Sequence, residues 1–150
     1  MTVPFRYYVR VRYQDCDAQQ VVFNARYGDY VDLACTEFLK AAFPGRSPFD
    51  GSFEIMLARQ LIEWKGPARF DDVIELSVRV AKIGTTSFTL HFELRKAGGV
   101  EVFATAETVN VHVDNKDYAK RAITPDLRVM LERGARGVAT DHAGYLPRMA

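Results

Sequence analysis

Apolar and polar residues alternate near the start of the chain. Between positions 5 and 14 every odd residue is valine or an aromatic, and the even residues are arginine or glutamine apart from Tyr8. Residues two apart lie on the same face of a β-strand. The pattern therefore predicts a half-buried strand over 5–14.

The spacing of apolar residues changes to three and four between positions 27 and 42, and it ends before Pro44 and Gly45. This spacing is that of one face of an α-helix, so it predicts the chain's only long helix. Asn24 precedes that face and belongs to a residue type favoured at helix N-caps. We therefore predict that the helix starts there.

Four further strands are predicted after the helix, because the remaining apolar residues alternate or form β-branched and aromatic runs. The segments are 53–65, 74–80, 88–95 and 100–114. Gly98 and Gly99 supply the turn between the last two strands. A short helix is predicted from Pro125, with Thr124 as its N-cap and Gly134 after its end.

The predicted fold class is α+β, with one long helix and a five-stranded antiparallel sheet in a single domain over 1–150. Apart from the short helix, the tail from about residue 120 is predicted to be irregular and exposed. An open sheet leaves two uncovered edges, which a second copy of the chain can pair. We therefore expect a homo-oligomer.

Charge and composition narrow the functional classes. Lysine and arginine number 20 against 19 acidic residues, so the net charge is +1 and no nucleic-acid partner is predicted. The start of the chain lacks the apolar segment of a signal peptide, and no later segment is long enough to span a membrane. Two cysteines, Cys16 and Cys35, are too few for a disulfide scaffold. We predict a cytoplasmic protein.

The acidic pair Asp15 and Asp17 lies in the loop before the long helix. Aspartate is common in turns and caps, so the spacing alone leaves both a structural and a catalytic role open. The histidines His91, His112 and His142 are scattered and lack ligand spacing, so neither a metal nor a cofactor is predicted. The chain contains no glycine-rich phosphate loop and no Gly-x-Ser-x-Gly elbow.

The segment YQDCDAQQVVFNARYGDYVDLACTEFL, followed by IEWKGPARFDDVIELSVRVAKIGTTSFTLHFEL, resembles the acyl-CoA thioesterases of the hotdog fold, in the 4-hydroxybenzoyl-CoA thioesterase-like family. The resemblance runs in order over residues 5–114. It implies a long central helix wrapped by a curved five-stranded antiparallel sheet, in a homodimer or homotetramer with active sites between subunits. The implied reaction is hydrolysis of an acyl-CoA to the free acid and coenzyme A.

The same resemblance implies roles for single residues. Asp17 matches the catalytic carboxylate, which acts as nucleophile or general base, and Asn24 matches the residue whose backbone N–H polarises the thioester carbonyl. Tyr27 and Ser87 match substrate-binding positions in the first helical turn and at the start of the fourth strand. Asp15 matches an acid that supports the loop. These roles suit the chemistry, since free N–H groups at a helix N-terminus stabilise negative charge on an oxygen.

Gln20 departs from the family pattern, because many members have glycine at this position. A side chain there is expected to change the backbone of the loop or to narrow the pocket. The alternative function is therefore a non-catalytic acyl-CoA or acyl-carrier-protein binding protein of the same fold. A dehydratase of this fold would need a histidine near the helix start, and residues 15–30 contain none.

Overall fold

The computed structural model describes residues 2–47 and 50–147. Two α-helices and six strands form the fold. In chain order they are β1 (Phe5–Arg10), α1 (Tyr27–Ala42), β2 (Glu54–Trp64), β3 (Val73–Ile83), β4 (Ser87–Lys96), β5 (Val102–Val113), α2 (Pro125–Arg133) and β6 (Ala139–Asp141). The four strands predicted after the long helix are confirmed.

All six strands join one sheet in the order β2-β5-β4-β3-β1-β6. Every pairing is antiparallel except that of β1 with β6, which is parallel. The two edges differ, because β2 has 11 residues and β6 has 3. The long edge strand β2 lies beside β5, whose inner face lines one of the cavities described below.

Helix α1 packs its apolar stripe against one face of the curved sheet. Its Phe38 meets Phe5 of β1 edge to face, with ring centroids 5.8 Å apart, and both side chains are fully buried. Alternate residues of β3 and β4, among them Leu76 and Phe92, complete this core. One long helix covered by a curved, mostly antiparallel sheet is the hotdog arrangement, so the predicted fold class is confirmed.

Strand β1 is shorter than the predicted strand over 5–14. It ends at Arg10, and Tyr13–Asp15 form a 3-10 turn instead. The carboxylate of Asp15 accepts the backbone N–H of Arg12 at 2.9 Å, so it bends the chain where the alternating pattern alone would continue the strand.

The prediction that Asn24 caps the long helix is wrong. Asn24 is the first residue of a 3-10 turn, Asn24–Arg26, and α1 begins at Tyr27. Neither the turn nor α1 has a side-chain cap at its N-terminus. The type of residue at position 24 marked the start of helical backbone to within a few residues, but the Asn24 side chain forms no cap.

The tail is helical where predicted, and most of the rest of it is irregular, except for one short strand. Thr124 caps α2 by accepting the N–H of Leu127, and Gly134 ends it with a left-handed φ of 63°. The prediction fails for β6, which adds a sixth strand beside β1. His142, which follows β6, lies with its Nδ1 2.8 Å from the hydroxyl of Tyr7. This contact holds the tail against the sheet.

Within the described residues, no helix is long and apolar enough to cross a membrane. The cytoplasmic location stays a prediction.

Candidate functional site

The loop that carries Asp15 and Asp17 is closed onto the segment that leads into α1. The backbone N–H of Phe23 donates to the carbonyl of Asp15, and that of Asp17 donates to the carbonyl of Val21, both at 2.9 Å. Between them, Cys16 and Val22 form an antiparallel bridge. These bonds hold the acidic loop against the start of the helix, so the two predicted site elements lie next to each other.

Asp15 holds this loop from inside the protein. Its side chain is 1% exposed; it accepts hydrogen bonds from the Arg12 backbone at 2.9 Å, from the Arg12 guanidinium at 3.0 Å and from the Tyr30 hydroxyl at 2.9 Å. Burial raises the pKa of Asp15, but these hydrogen bonds outweigh burial and lower the pKa below its usual value. The contacts are those expected of a residue that supports the loop.

Asp17 is partly exposed and faces a cavity of about 740 Å³. One carboxylate oxygen, Oδ1, accepts the backbone N–H of Gln19 at 2.8 Å. In the part of the chain that the structure describes, the other oxygen has no hydrogen-bond partner. Asp17 is therefore oriented through one oxygen and offers the second to a ligand.

Cys16 lines the same cavity beside Asp17. Burial raises the pKa of the Cys16 thiol, and the neighbouring carboxylates of Asp15, Asp17 and Asp72 raise it further. A raised pKa keeps the sulfur protonated, and the thiolate is the nucleophilic form of cysteine. Cys16 is therefore held in its less nucleophilic form, whereas Asp17 presents a carboxylate oxygen without a hydrogen-bond partner among the described residues.

Gln20 has a φ of 65°, in the left-handed region that glycine adopts without strain. The backbone of the loop therefore takes a conformation suited to the glycine of other members, although a side chain is present. The glutamine side chain lines the Asp17 cavity. In the wall of the cavity, a glutamine occupies space that a glycine would leave open.

The turn that begins at Asn24 presents free backbone donors. Among the described residues, the N–H groups of Asn24 and Ala25 have no hydrogen-bond partner. Asn24 is exposed, so these donors are open to a ligand. Together with the helix dipole of α1, they favour an anionic or strongly polarised oxygen at this position.

Tyr27 does not line the Asp17 cavity. Its side chain is 2% exposed and packs edge to face against Trp64, with ring centroids 6.4 Å apart. Its hydroxyl accepts the backbone N–H of Ala68 at 3.3 Å. The structure therefore gives Tyr27 a packing role, in which it fixes the segment just before Arg69 and Phe70.

Ser87 lies far from Asp17 in the same chain. It is the first residue of β4, whereas Lys96 at the other end of β4 pairs with Asp72 near the acidic loop. Strands rise about 3.4 Å per residue, so the two ends of this ten-residue strand are roughly 30 Å apart. The structure does not bring Ser87 together with the other predicted site residues.

The cavity also contains three residues that the sequence analysis did not single out. Tyr13 and Phe70 are 84% and 57% exposed, and their rings meet edge to face at 6.4 Å. Arg69 lies beside them, and its guanidinium has no carboxylate partner within the described ranges. A bridge between Val21 and Arg69 brings these residues to the loop. That bridge is a tertiary contact, for which the local pattern contained no signal.

A second cavity, of about 300 Å³, lies between α1 and the inner faces of β2 and β5. We call it the α1–β2 cavity. Its wall mixes apolar side chains with hydrogen-bonding ones, including Thr36 of α1, Gln60 of β2, and Thr108 and Asn110 of β5. The sequence did contain a signal for the last two, since they occupy inward positions of β5 where the preceding inward residues are Ala104 and Ala106.

No group of three histidine, cysteine or acidic side chains suited to a metal ion occurs among the described residues. His91 is exposed. His112 is buried in β5, with its Nδ1 3.2 Å from the carbonyl of Ala122, so one ring nitrogen has a hydrogen-bond partner within the protein. His142 is exposed but contacts Tyr7. None of the three lines the Asp17 cavity.

Comparisons with known proteins agree with the fold. Residues 11–131 match the family model of the thioesterase-like superfamily. The acyl-CoA thioester hydrolase YbgC of Escherichia coli is 29% identical over 123 residues, which cover 81% of this chain and 91% of YbgC.

Two solved structures show the same likeness. A hypothetical protein from Aquifex aeolicus has a TM-score of 0.74 and 29% identity, and the match covers 85% of this chain and 99% of that one. Slr0204, a 1,4-dihydroxy-2-naphthoyl-CoA thioesterase from Synechocystis, has a TM-score of 0.76 at 19% identity, with 85% and 94% covered. At that identity, the second likeness concerns the fold alone.

Proposed function

The chain belongs to the thioesterase-like superfamily and is a thioester hydrolase, and on this premise we propose that it hydrolyses acyl-CoA thioesters to the free acid and coenzyme A. We assign the chemical step to Asp17. The observation that carries the assignment is its carboxylate, which faces a cavity with one oxygen free. The free N–H groups of Asn24 and Ala25 supply the matching donors for the thioester oxygen.

The reaction needs one carboxylate and one set of donors. As a general base, Asp17 takes a proton from water while the water oxygen bonds to the carbonyl carbon. As a nucleophile, Asp17 bonds to that carbon itself, and water then hydrolyses the anhydride. In both routes the carbon–sulfur bond breaks and the sulfur keeps the electron pair. A thiol has a reference pKa of about 8.5, so its thiolate leaves without a dedicated acid.

The first test is release of free thiol from a panel of short, medium, long and aromatic acyl-CoAs. We expect turnover of at least one substrate. The activity should elute together with the protein in size-exclusion chromatography. Calorimetric binding of the same compounds is the parallel measurement. Binding without release of thiol from any member would contradict the proposal and favour the non-catalytic acyl-CoA binding protein.

We further propose that the protein is a homo-oligomer paired through β2. Among the described residues, β2 pairs only with β5, which leaves the other edge of an 11-residue strand open. Long open edges invite pairing with another chain. Apolar residues on β2 are also unusually exposed: Met56 49%, Leu57 55%, Leu61 41% and Trp64 52%. A twofold axis through this edge places β2 antiparallel to its copy and covers these side chains.

The oligomer is tested with Leu61→Lys, which puts a charge among the exposed apolar side chains of the proposed interface. We expect the mass measured by analytical ultracentrifugation at micromolar concentration to fall from that of a dimer or tetramer toward a smaller species. Val100→Lys is the matched control, because Val100 is 91% exposed and precedes β5 in the turn after β4. A native protein that sediments as a monomer would contradict the proposal, and so would an unchanged mass for Leu61→Lys.

A further inference from the structure

The α1–β2 cavity has an unusual inner wall. The inward positions of β5 pass from Ala104 and Ala106, which are buried against the core, to Thr108 and Asn110, each 3% exposed. Burying a polar side chain costs free energy unless its hydrogen bonds are made. Two such residues in succession on an inward face therefore call for a partner.

Hydrogen bonds within the protein satisfy only part of the polar groups of Thr108 and Asn110. The amide nitrogen of Asn110 donates to the hydroxyl of Thr108 at 3.1 Å. In the described part of the chain, no other side-chain hydrogen bond is made by either residue, so the Asn110 carbonyl oxygen and the Thr108 hydroxyl proton are unpaired. Both side chains line the cavity. Both side chains are almost fully buried, but the unpaired Asn110 oxygen keeps some accessible surface, so it faces the cavity as an acceptor beside the Thr108 hydroxyl.

The cavity begins close to the proposed reaction centre. Its first α1 residue is Val31, four residues after the start of the helix, which corresponds to about 6 Å along the axis. Gln60 connects the two places, since its side chain lines the cavity and also lies against Gly28 in the first turn, where a Cβ would be 3.3 Å from the Gln60 Nε2. A group attached to a carbonyl at the helix N-terminus can therefore extend along α1 into this cavity.

The charges around the cavity favour a neutral group. Asp32 and Glu54 line it as carboxylates, while its one arginine, Arg46, pairs with Asp126 at 3.2 Å. A carboxylate on the ligand would meet these acids. A hydroxyl suits the site better, because it can donate a hydrogen bond to the Asn110 carbonyl oxygen and accept one from the Thr108 hydroxyl.

We propose, on the basis of the thioesterase function above, that the α1–β2 cavity receives the acyl group and that Asn110 and Thr108 select acyl groups with a distal hydroxyl. A site built to hydrogen-bond a hydroxyl discriminates strongly against the analogue that lacks it, because its own polar groups are then left unpaired. The two residues are thus specificity determinants that act away from the scissile bond.

The test compares hexanoyl-CoA with 6-hydroxyhexanoyl-CoA, which differ only in the distal hydroxyl. We expect kcat/KM of the native protein to be at least about tenfold higher for the hydroxylated compound, since tenfold corresponds to one well-formed hydrogen bond. Asn110→Leu and Thr108→Val should each bring the ratio toward one, mainly by slowing the hydroxylated substrate. Thr105→Val is the control, because Thr105 lies on β5 with its side chain on the opposite face.

Each outcome bears on one claim. A native ratio near one, with clear turnover, would overturn the selection and leave the thioesterase function intact. Equal loss on both substrates in Asn110→Leu and Thr108→Val would also overturn it, because a merely structural role slows both alike. If no thiol is released, the thioesterase function fails, and calorimetric affinities for the same two compounds decide the selection: equal affinities overturn it, and a tenfold preference supports it.

Discussion

Asp17→Asn is expected to lower the rate of thioester hydrolysis by about a hundredfold or more, because positioned general acid–base groups typically contribute 10²–10⁴-fold. The amide is nearly the same size and keeps an oxygen that can accept the Gln19 N–H, as Asp17 does at 2.8 Å. The amide lacks the negatively charged oxygen that would attack the carbonyl carbon or take a proton from water. The measurement is kcat by release of free thiol on the best substrate of the panel.

Two controls make this result specific to Asp17. The melting temperature of Asp17→Asn should stay close to that of the native protein, and its affinity for acyl-CoA should be kept. Asp71→Asn is the matched variant: Asp71 is a nearby carboxylate, 65% exposed, that pairs with Arg10 and does not line the cavity. Comparable rates for the native protein and both variants would move the catalytic assignment away from Asp17.

Asp15→Asn is expected to destabilise the folded protein by about 3 kcal/mol at neutral pH, because hydrogen bonds to a charged group contribute roughly 1.5–3 kcal/mol. The amide oxygen of the variant can still accept the hydrogen bond from Tyr30, but the negative charge that strengthens this bond is lost; the pKa of Tyr30 is raised by burial and by Asp15. The variant also turns an amide group toward the donors of Arg12. Urea unfolding at fixed protein concentration measures the change, since oligomerisation makes stability depend on concentration.

The same variant has a predicted pH dependence. The pKa of Asp15 is lowered in the folded state, so the stability it contributes is fully present above the unfolded value of about 4. That stability is lost as the pH falls through the folded pKa. The free energy of unfolding of the native protein should therefore exceed that of Asp15→Asn by a constant amount from about pH 5 upward. This difference in free energy should shrink in more acidic solution.

Asp29→Asn provides the comparison for an exposed carboxylate. Asp29 pairs with Arg26 at 3.2 Å but is 60% exposed, and exposed pairs contribute little to stability. We expect a much smaller change there than at Asp15. If Asp15→Asn and Asp29→Asn lose the same amount of stability, the buried charge of Asp15 is not the cause of the loss. A loss of stability in Asp15→Asn that persists unchanged in acid would lead to the same conclusion.

The elements of the fold were largely predictable, because their signals are local. Alternation marked β3 and β4, the spacing of three and four marked α1, and Thr124 and Gly134 marked both ends of α2. Strand β6 was missed, since three residues, Ala139–Asp141, are too few to carry a period. It forms only because β1 offers a parallel edge, and that partner lies at the other end of the sequence.

The candidate site divides in the same way. The resemblance pointed to Asp17 and to the start of the helix. In the structure, the loop that carries Asp17 lies against the segment that leads into the helix. Tyr27 and Ser87 carried the same kind of match, yet packing buries Tyr27 with its hydroxyl on Ala68, and the direction of β4 places Ser87 at its far end. A matching residue type does not specify where a side chain points.

The sequence by itself determined the class of fold, the long helix and the acidic loop before it, because periodicity and turn chemistry act between residues close in the chain. Only the tertiary structure decided that Asp15 is buried under Tyr30, that Arg69 and Phe70 reach the Asp17 cavity, and that Thr108 and Asn110 face α1. These contacts join residues far apart in sequence. Strand pairing and helix packing bring them together, and no local pattern encodes those distances.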